Sequence, residues 1–212
     1  MNNTQRTSAS GGSDKNLKAI GEEAWKRADK INADLLSMTY GTFVAQVLRD
    51  SDTAEAANAT LDRLGYSLGI RLIDDFLARN APSLGRCSDF REVGEVMAKV
   101  AFKQFLNFVP AVLSTNGGGN NEFVLQWSVT EGDGLGSELV ELPEVAIRGG
   151  LHYHQMLCGV IRGALEMINY QVECSIQHDP LLAAGNPVAN PNVELLVKLI
   201  RIIDETAPPL ED

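Results

Sequence analysis

The sequence predicts an α+β, sandwich-like domain, with helices packed on a small antiparallel sheet. Two patterns and their punctuation predict it. Apolar residues recur at helical spacing through residues 34–80, 88–109 and 151–173. They alternate with polar ones over Phe123–Val129 and again over residues 193–202. Clusters of Gly, Pro and Asn separate these blocks, so helices and strands segregate into layers. A chain of 212 residues with 44% apolar content is sized for one domain with a real core.

Taken in order, residues 1–14 are rich in Asn, Thr, Ser and Gly and are read as a disordered segment ahead of a single domain over 15–212. A short helix carrying Trp25 is expected from Lys15 to Lys30. Asp34 is placed as the cap of a helix whose face is Leu36, Tyr40, Phe43, Val44, Val47 and Leu48. Residues Ala54–Leu64 read as helix. Gly65 interrupts, and Leu68, Leu72, Ile73, Phe76 and Leu77 continue a helix to Asn80. After a loop over residues 80–85, Asp89 and Glu92 have the spacing of a capping box. The helix they open shows Val93, Met97, Val100 and Phe105 on one face and stops at Pro110. A glycine-rich loop spans Thr115–Asn121, and Leu139–Leu142 is read as the antiparallel partner of the strand at Phe123–Val129. One long helix is expected over Leu151–Glu173, with Leu157, Ile161, Leu165, Ile168 and Val172 along its face. A Pro/Asn/Gly loop over 179–192 leads to the last strand at 193–202, and the tail contains Pro208-Pro209.

The net charge of −10 and a pI near 4.8 argue against a nucleic-acid partner, whose phosphates reward Lys and Arg. The same charge disfavours general attraction to anionic membrane. Only the stretch Asp62–Lys103 is near neutral, with seven basic against six acidic residues. Cys87, Cys158 and Cys174 are odd in number and fit neither a disulfide framework nor a zinc spacing, which points to a reducing, cytosolic setting. No stretch has the length of a membrane span or the core of a signal peptide. Asn2 stands where myristoylation needs Gly, and Leu210-Glu211-Asp212 is no prenylation box. A membrane link is therefore expected from partners or an internal lipid.

The most informative segment is Gly85-Arg86-Cys87-Ser88-Asp89-Phe90-Arg91. A thiol just before a helix start, with Arg86 and Arg91 beside it, is expected to have a lowered pKa, with Asp89 opposing. Gly94, Ala98 and Ala101 follow as a stripe of small residues on one helix face, and Gly65/Gly69 and Gly159/Gly163 make two more. Such stripes serve close helix contact, or they leave a channel beside the nucleophile able to hold an acyl chain. At roughly 0.8 kcal/mol per buried methylene, most of a sixteen-carbon chain is worth on the order of 10 kcal/mol. From the residues alone, Cys87 reads more readily as a small buried side chain, and the stripes as plain helix contacts, than as an acyl site.

Other motifs carry less. His152 and His154 sit at i and i+2, which do not converge on a helix, so no metal is expected. Asp74-Asp75, flanked by Arg71 and Arg79, reads as a salt-bridged helix face. Gly117-Gly118-Gly119 lacks the Lys-Ser/Thr of a phosphate loop. No catalytic Ser/His/Asp set is visible.

Four segments together resemble the Bet3 family of transport protein particle (TRAPP) small subunits. They are Leu36-Ser37-Met38-Thr39-Tyr40-Gly41 with Val44-Ala45-Gln46, Leu64-Gly65-Tyr66 through Gly69 to Arg79, Gly85 to Glu92, and Leu157 to Met167. Ala98-Lys99-Val100-Ala101-Phe102-Lys103 is similar as well, and the likeness runs over roughly residues 17–212. The resemblance implies a palmitate held as a thioester on Cys87, in a hydrophobic tunnel to which Gly94, Ala98 and Ala101 are assigned, with no other cofactor. It implies pairing with other TRAPP small subunits, as heterodimers or a homodimer, and no catalysis by the subunit alone. It further implies a cytoplasmic protein peripheral to the cis-Golgi and ER-derived vesicles. There the assembly tethers vesicles and exchanges guanine nucleotide on a Rab1/Ypt1-type GTPase. The tail, with Leu210, Glu211 and Asp212, is expected to reach toward that GTPase. The loops at 115–121 and 180–192 are longer than the family pattern. Two other function classes are compatible with a thiol beside a pocket: a cysteine acyltransferase or thioesterase, and an apolar-ligand-sensing domain.

Overall fold

A computed structural model describes residues 10–115, 119–129, 149–180 and 191–203. The first helix, α1, covers Ser10–Arg27. It starts five residues before the expected Lys15, so residues 10–14 are helical and not disordered. Asp14 pairs with Lys18 one turn along the helix at 3.6 Å, and two tertiary ties hold α1 in place: Asp14 with Lys99, and Glu22 with Lys103 at 3.0 Å. Helix α2 spans Ala33–Arg49, capped by Asn32, whose Oδ1 accepts from the Leu35 N–H at 3.0 Å. Asp34 therefore lies in the first turn and is not the cap.

Helix α3 runs unbroken from Ala54 to Asn80, through Gly65. The glycine that was expected to interrupt it instead lets another helix approach. That helix is α6, Gln155–Glu166. A methyl group on Gly65 would overlap the Met156 carbonyl, and one on Gly159 would overlap the Asp62 carbonyl. Gly69 and Gly163 meet Val160 and Tyr66 in the same way. The seam is closed at its surface by an Arg162–Asp62 ion pair, with the Arg162 guanidinium over the Tyr66 ring at 4.9 Å.

Between these helices in sequence come α4 (Phe90–Val96), a π-turn (Met97–Ala101) and α5 (Phe102–Leu106). Asn107 ends α5 in the left-handed region at φ 62°. Strand β1 (Ala111–Ser114) follows Pro110, then β2 (Glu122–Ser128) after a 3₁₀ turn at Gly119–Asn121. Helix α6 ends well short of residue 173: Asn169 turns the chain at φ 69°, and Tyr170–His178 form β3. Val172 thus belongs to a strand and not to a helix face. Strand β4 is Asn192–Ile202.

The sheet has the order β1-β2-β4-β3, all antiparallel. The partners of β2 are β1 and β4, while residues 139–142, the expected partner, lie outside the described set. Rows Phe123–Val197–Cys174 and Leu125–Leu195–Ile176 cross one face. With Val193 and Trp127 they bury against Phe90, Val93, Ala98, Phe102, Cys158, Ile161 and Leu165 of the helices. A second core gathers Val44, Val47, Ala57, Leu61, Leu151 and Tyr153 where α2 and α3 meet the approach to α6. The Tyr40 hydroxyl donates to the Tyr153 carbonyl at 2.6 Å, and Asn58 bridges the Gly150 carbonyl (2.8 Å) and the His152 N–H (2.9 Å). Among the described residues no helix is long and apolar enough to cross a membrane.

Candidate functional site: a half-buried thiol and an apolar cavity

Local capping sets the position of Cys87. The Asp89 Oδ1 accepts from the Glu92 N–H at 2.8 Å and starts α4, as the spacing predicts. The Glu92 carboxylate reaches back one residue further than in a standard box. It accepts from the Ser88 N–H at 2.6 Å and from its hydroxyl at 2.9 Å. Upstream, the Asn80 carbonyl accepts from the N–H groups of Ser83 (2.9 Å) and Leu84 (3.0 Å). The Asn80 side chain is fully buried and donates to Phe76 O at 2.9 Å and to Gln104 Oε1 at 2.6 Å. The loop carrying the thiol is therefore braced to α5 at one end and capped onto α4 at the other. Sequence reasoning placed Asn80 only at a loop boundary; a buried Asn pairing with a Gln 24 residues away leaves no local signal.

The electrostatics differ from expectation. Burial pushes the Cys87 thiol above its ordinary pKa, and the Glu92 and Asp89 carboxylates push it the same way. The cap residues that fix the loop thus bring two negative charges to the sulfur. Arg91 is turned away to Ser114 on β1, where its guanidinium donates to the hydroxyl. Helix start and neighbouring arginines do not prevail.

Cys87 is half-buried and packs against the main core, the cluster that holds Phe90, Val93 and Ala98. Val93 of that cluster also lines a cavity of about 190 Å³ whose wall residues are all apolar; Cys87 itself is not among them. Helix α3 contributes Leu72, Ile73 and Phe76. The α4–α5 segment contributes Val93, Val96, Met97, Ala101, Phe102, Phe105 and Leu106. Helix α6 and its exit contribute Leu157, Val160, Ile161, Ala164, Leu165 and Ile168. Ala101 is a wall residue. Gly94 and Ala98 are not: a Cβ on Gly94 would press on the Phe123 ring at 3.0 Å, and Ala98 is fully buried in the main core. The π-turn separates them. One extra residue per turn rotates Ala101 out of the Gly94/Ala98 line and toward α3 and α6. Leu210, Glu211 and Asp212 lie outside the described residues.

The other candidates resolve simply. His152 and His154 precede α6 and are not on a helix. His154 sits 3.6 Å from Asp179 and 5.7 Å from the Trp127 ring, at the end of the sheet far from Cys87. Burial holds His152 below the usual imidazole pKa. Asp75 pairs with Arg79 at 2.8 Å on the exposed face of α3. Cys174 faces inward toward Cys158, and burial together with that neighbour raises its thiol well above the ordinary value.

The sequence and the fold both find relatives. The model of the transport protein particle (TRAPP) component family matches residues 36–194. The transport protein particle subunit bet3 of Schizosaccharomyces pombe is 46% identical over 190 residues, covering 90% of this chain and 96% of the relative. The trafficking protein particle complex subunit BET3 of Saccharomyces cerevisiae is 38% identical over 200 residues, covering 93% and 96%. A crystal structure of trafficking protein particle complex subunit 3 from Naegleria fowleri, covalently bound to palmitic acid, superposes with a TM-score of 0.71 at 37% identity, covering 84% of this chain and all of that one. The expected fold class, helices on a small antiparallel sheet, holds in this neighbour as in the chain itself. The chain belongs to the transport protein particle (TRAPP) component family.

Proposed function

We propose that this chain is a Bet3-type core subunit of a TRAPP assembly and carries palmitate as a thioester on Cys87, the acyl chain lying in the apolar cavity. The observation that carries the reading is the cavity itself: a space of about 190 Å³ with apolar wall residues, among them Ala101 and Val93, the latter in the same core cluster that Cys87 packs against. The covalent palmitic acid of the 37%-identical Naegleria fowleri protein supports it. In the attachment step the Cys87 sulfur attacks the carbonyl of an acyl-CoA thioester. A new C–S bond forms, the bond to the coenzyme's sulfur breaks, and the released thiolate takes up the proton.

The environment favours one such event over turnover. The thiol is raised in pKa, and all three histidines of the chain lie toward the opposite end of the sheet, His178 at the far end of β3 and His152 and His154 ahead of α6. No imidazole general base serves the sulfur, which speaks against a cysteine acyltransferase or thioesterase. A chain buried at about 0.8 kcal/mol per methylene is a structural element more than a membrane anchor.

The wider role follows the family. The chain acts as a non-catalytic subunit in ER-to-Golgi vesicle tethering, within an assembly that exchanges guanine nucleotide on a Rab1/Ypt1-type GTPase. It is cytoplasmic and peripheral to the cis-Golgi and ER-derived vesicles. Pairing with other TRAPP small subunits is supported by α2 and its lead-in, where Ile31, Leu35 and Met38 expose 67%, 60% and 62% of their surface on one side. The acidic tail at Leu210–Asp212 is assigned to the GTPase contact.

Intact-mass measurement after incubation with palmitoyl-CoA tests the central part. The expected result is a single hydroxylamine-labile adduct that is absent from Cys87→Ser. Repeated release and reloading of the acyl group would favour the acyltransferase reading. For the wider role, the chain alone should leave GDP release unchanged and the assembled subunits should accelerate it. Fast release by the isolated chain would contradict the subunit assignment.

A further inference from the structure

We propose that Leu106 on α5 and Leu157 on α6 form the end wall of the cavity and set the length of the acyl chain that Cys87 carries, an inference that rests on the acyl reading above. The α4–α5 segment and α6 run antiparallel along the cavity. At one end Tyr170, four residues past α6, packs on Phe90 at the start of α4, with ring centroids 5.9 Å apart. At the other end Leu106 and Leu157 each touch both the main core and the second core around Leu151 and Tyr153. These two leucines therefore partition the cavity from a solid cluster in which Tyr153 is fully buried.

The dimensions agree with a ruler. From Asp89 to Leu106 the helical path advances about 25 Å at 1.5 Å per residue. An extended sixteen-carbon chain spans about 19 Å, and the cysteine's own Cβ–Sγ arm adds about 3 Å. What is left is about the reach of a leucine side chain; Leu106 leans toward the N-terminus of its own helix, back toward the incoming chain, whereas Leu157 stands on the antiparallel α6 and leans the other way. A palmitoyl chain ends on these two side chains, and two further carbons meet them.

The test is a competition. The full chain is incubated with equimolar myristoyl-, palmitoyl- and stearoyl-CoA, and the adducts are read by intact mass. Palmitoyl should dominate in the wild type. In Leu106→Ala or Leu157→Ala the stearoyl-to-palmitoyl ratio should rise about sixteenfold, following the roughly fourfold preference for each of the two further methylenes accommodated. Leu106→Val, which removes one methylene, should shift the ratio about fourfold and keeps the measurement available where alanine unfolds the domain. An unchanged ratio in variants that still form the adduct overturns the end wall and leaves the acyl reading intact. No adduct on the wild type with any of the three overturns both.

Discussion

Along the α3–α6 seam, small residues bring two backbones into contact; on the α4–α5 wall, a small residue leaves a space. Gly65, Gly69, Gly159 and Gly163 are each met by a main-chain atom of the facing helix, so their lack of a side chain is used up by packing. Ala101 faces side chains across a gap, because the π-turn tilts it away from the Gly94/Ala98 line that packs on the sheet. Residue size alone does not decide between contact and cavity. What decides is whether the facing backbone can come within reach, and an extra residue in one helical turn is enough to prevent it.

The largest effect should fall on the seam. Gly159→Ala places a methyl group on the Asp62 carbonyl, and because backbone must move, the loss should exceed the common overpacking range, reaching about 3 kcal/mol or more. Thermal unfolding reads this directly, and a change within about 0.5 kcal/mol would erase the distinction between the two regions. On the wall, Ala101→Phe should do the opposite kind of damage. The fold should persist with a stability change of about 1 kcal/mol, since the ring enters existing space, while palmitoyl loading falls to background. Loading of that variant at the wild-type rate would mean that the chain lies elsewhere.

Two smaller effects sharpen the chemistry. The thiolate is the attacking form, and burial with Glu92 and Asp89 raises the Cys87 pKa, so the sign is fixed: the loading rate should climb with pH. The slope should be about tenfold per unit and continue past the ordinary thiol value of about 8.5. A plateau near neutral pH, measured by stopped-time mass spectrometry, would restore the activated thiol expected from the sequence. Asp89→Ala removes the cap of α4 and should cost about 1 kcal/mol by denaturant titration. Because it also removes one of the charges raising the thiol, loading at pH 7.5 should quicken, not slow.

The legible parts of the fold were those with local causes. Strand β2 shows strict alternation, Asp89 and Glu92 announce a helix start, and α2 carries its apolar stripe in plain spacing. The misread parts had causes distant in sequence. Ile168 and Val172 are spaced like a helix face, but Asn169 turns the chain and Tyr170, Val172, Cys174 and Ile176 alternate as an edge strand. Gly65 looked like a break because its compensation, the Met156 carbonyl, is 91 residues away in the chain. Strand β1 is only four residues long after a proline, too short for any period to show. At the site, Cys87 and Ala101 stood out in the sequence, while the walls from α3 and α6 did not, since Phe76, Ala164 and Ile168 are ordinary core residues until the helices are packed. The charge balance at the sulfur was misjudged because Arg91 is drawn to Ser114, a pairing that only the sheet creates.

Electron density from crystals of the palmitoyl-CoA-treated protein addresses the account most directly. Continuous density should leave the sulfur of Cys87, pass Val93 and run beside Ala101 toward Leu106. An acylated Cys87 whose chain lies on the surface, with the 190 Å³ space still empty behind Ala101, would contradict it.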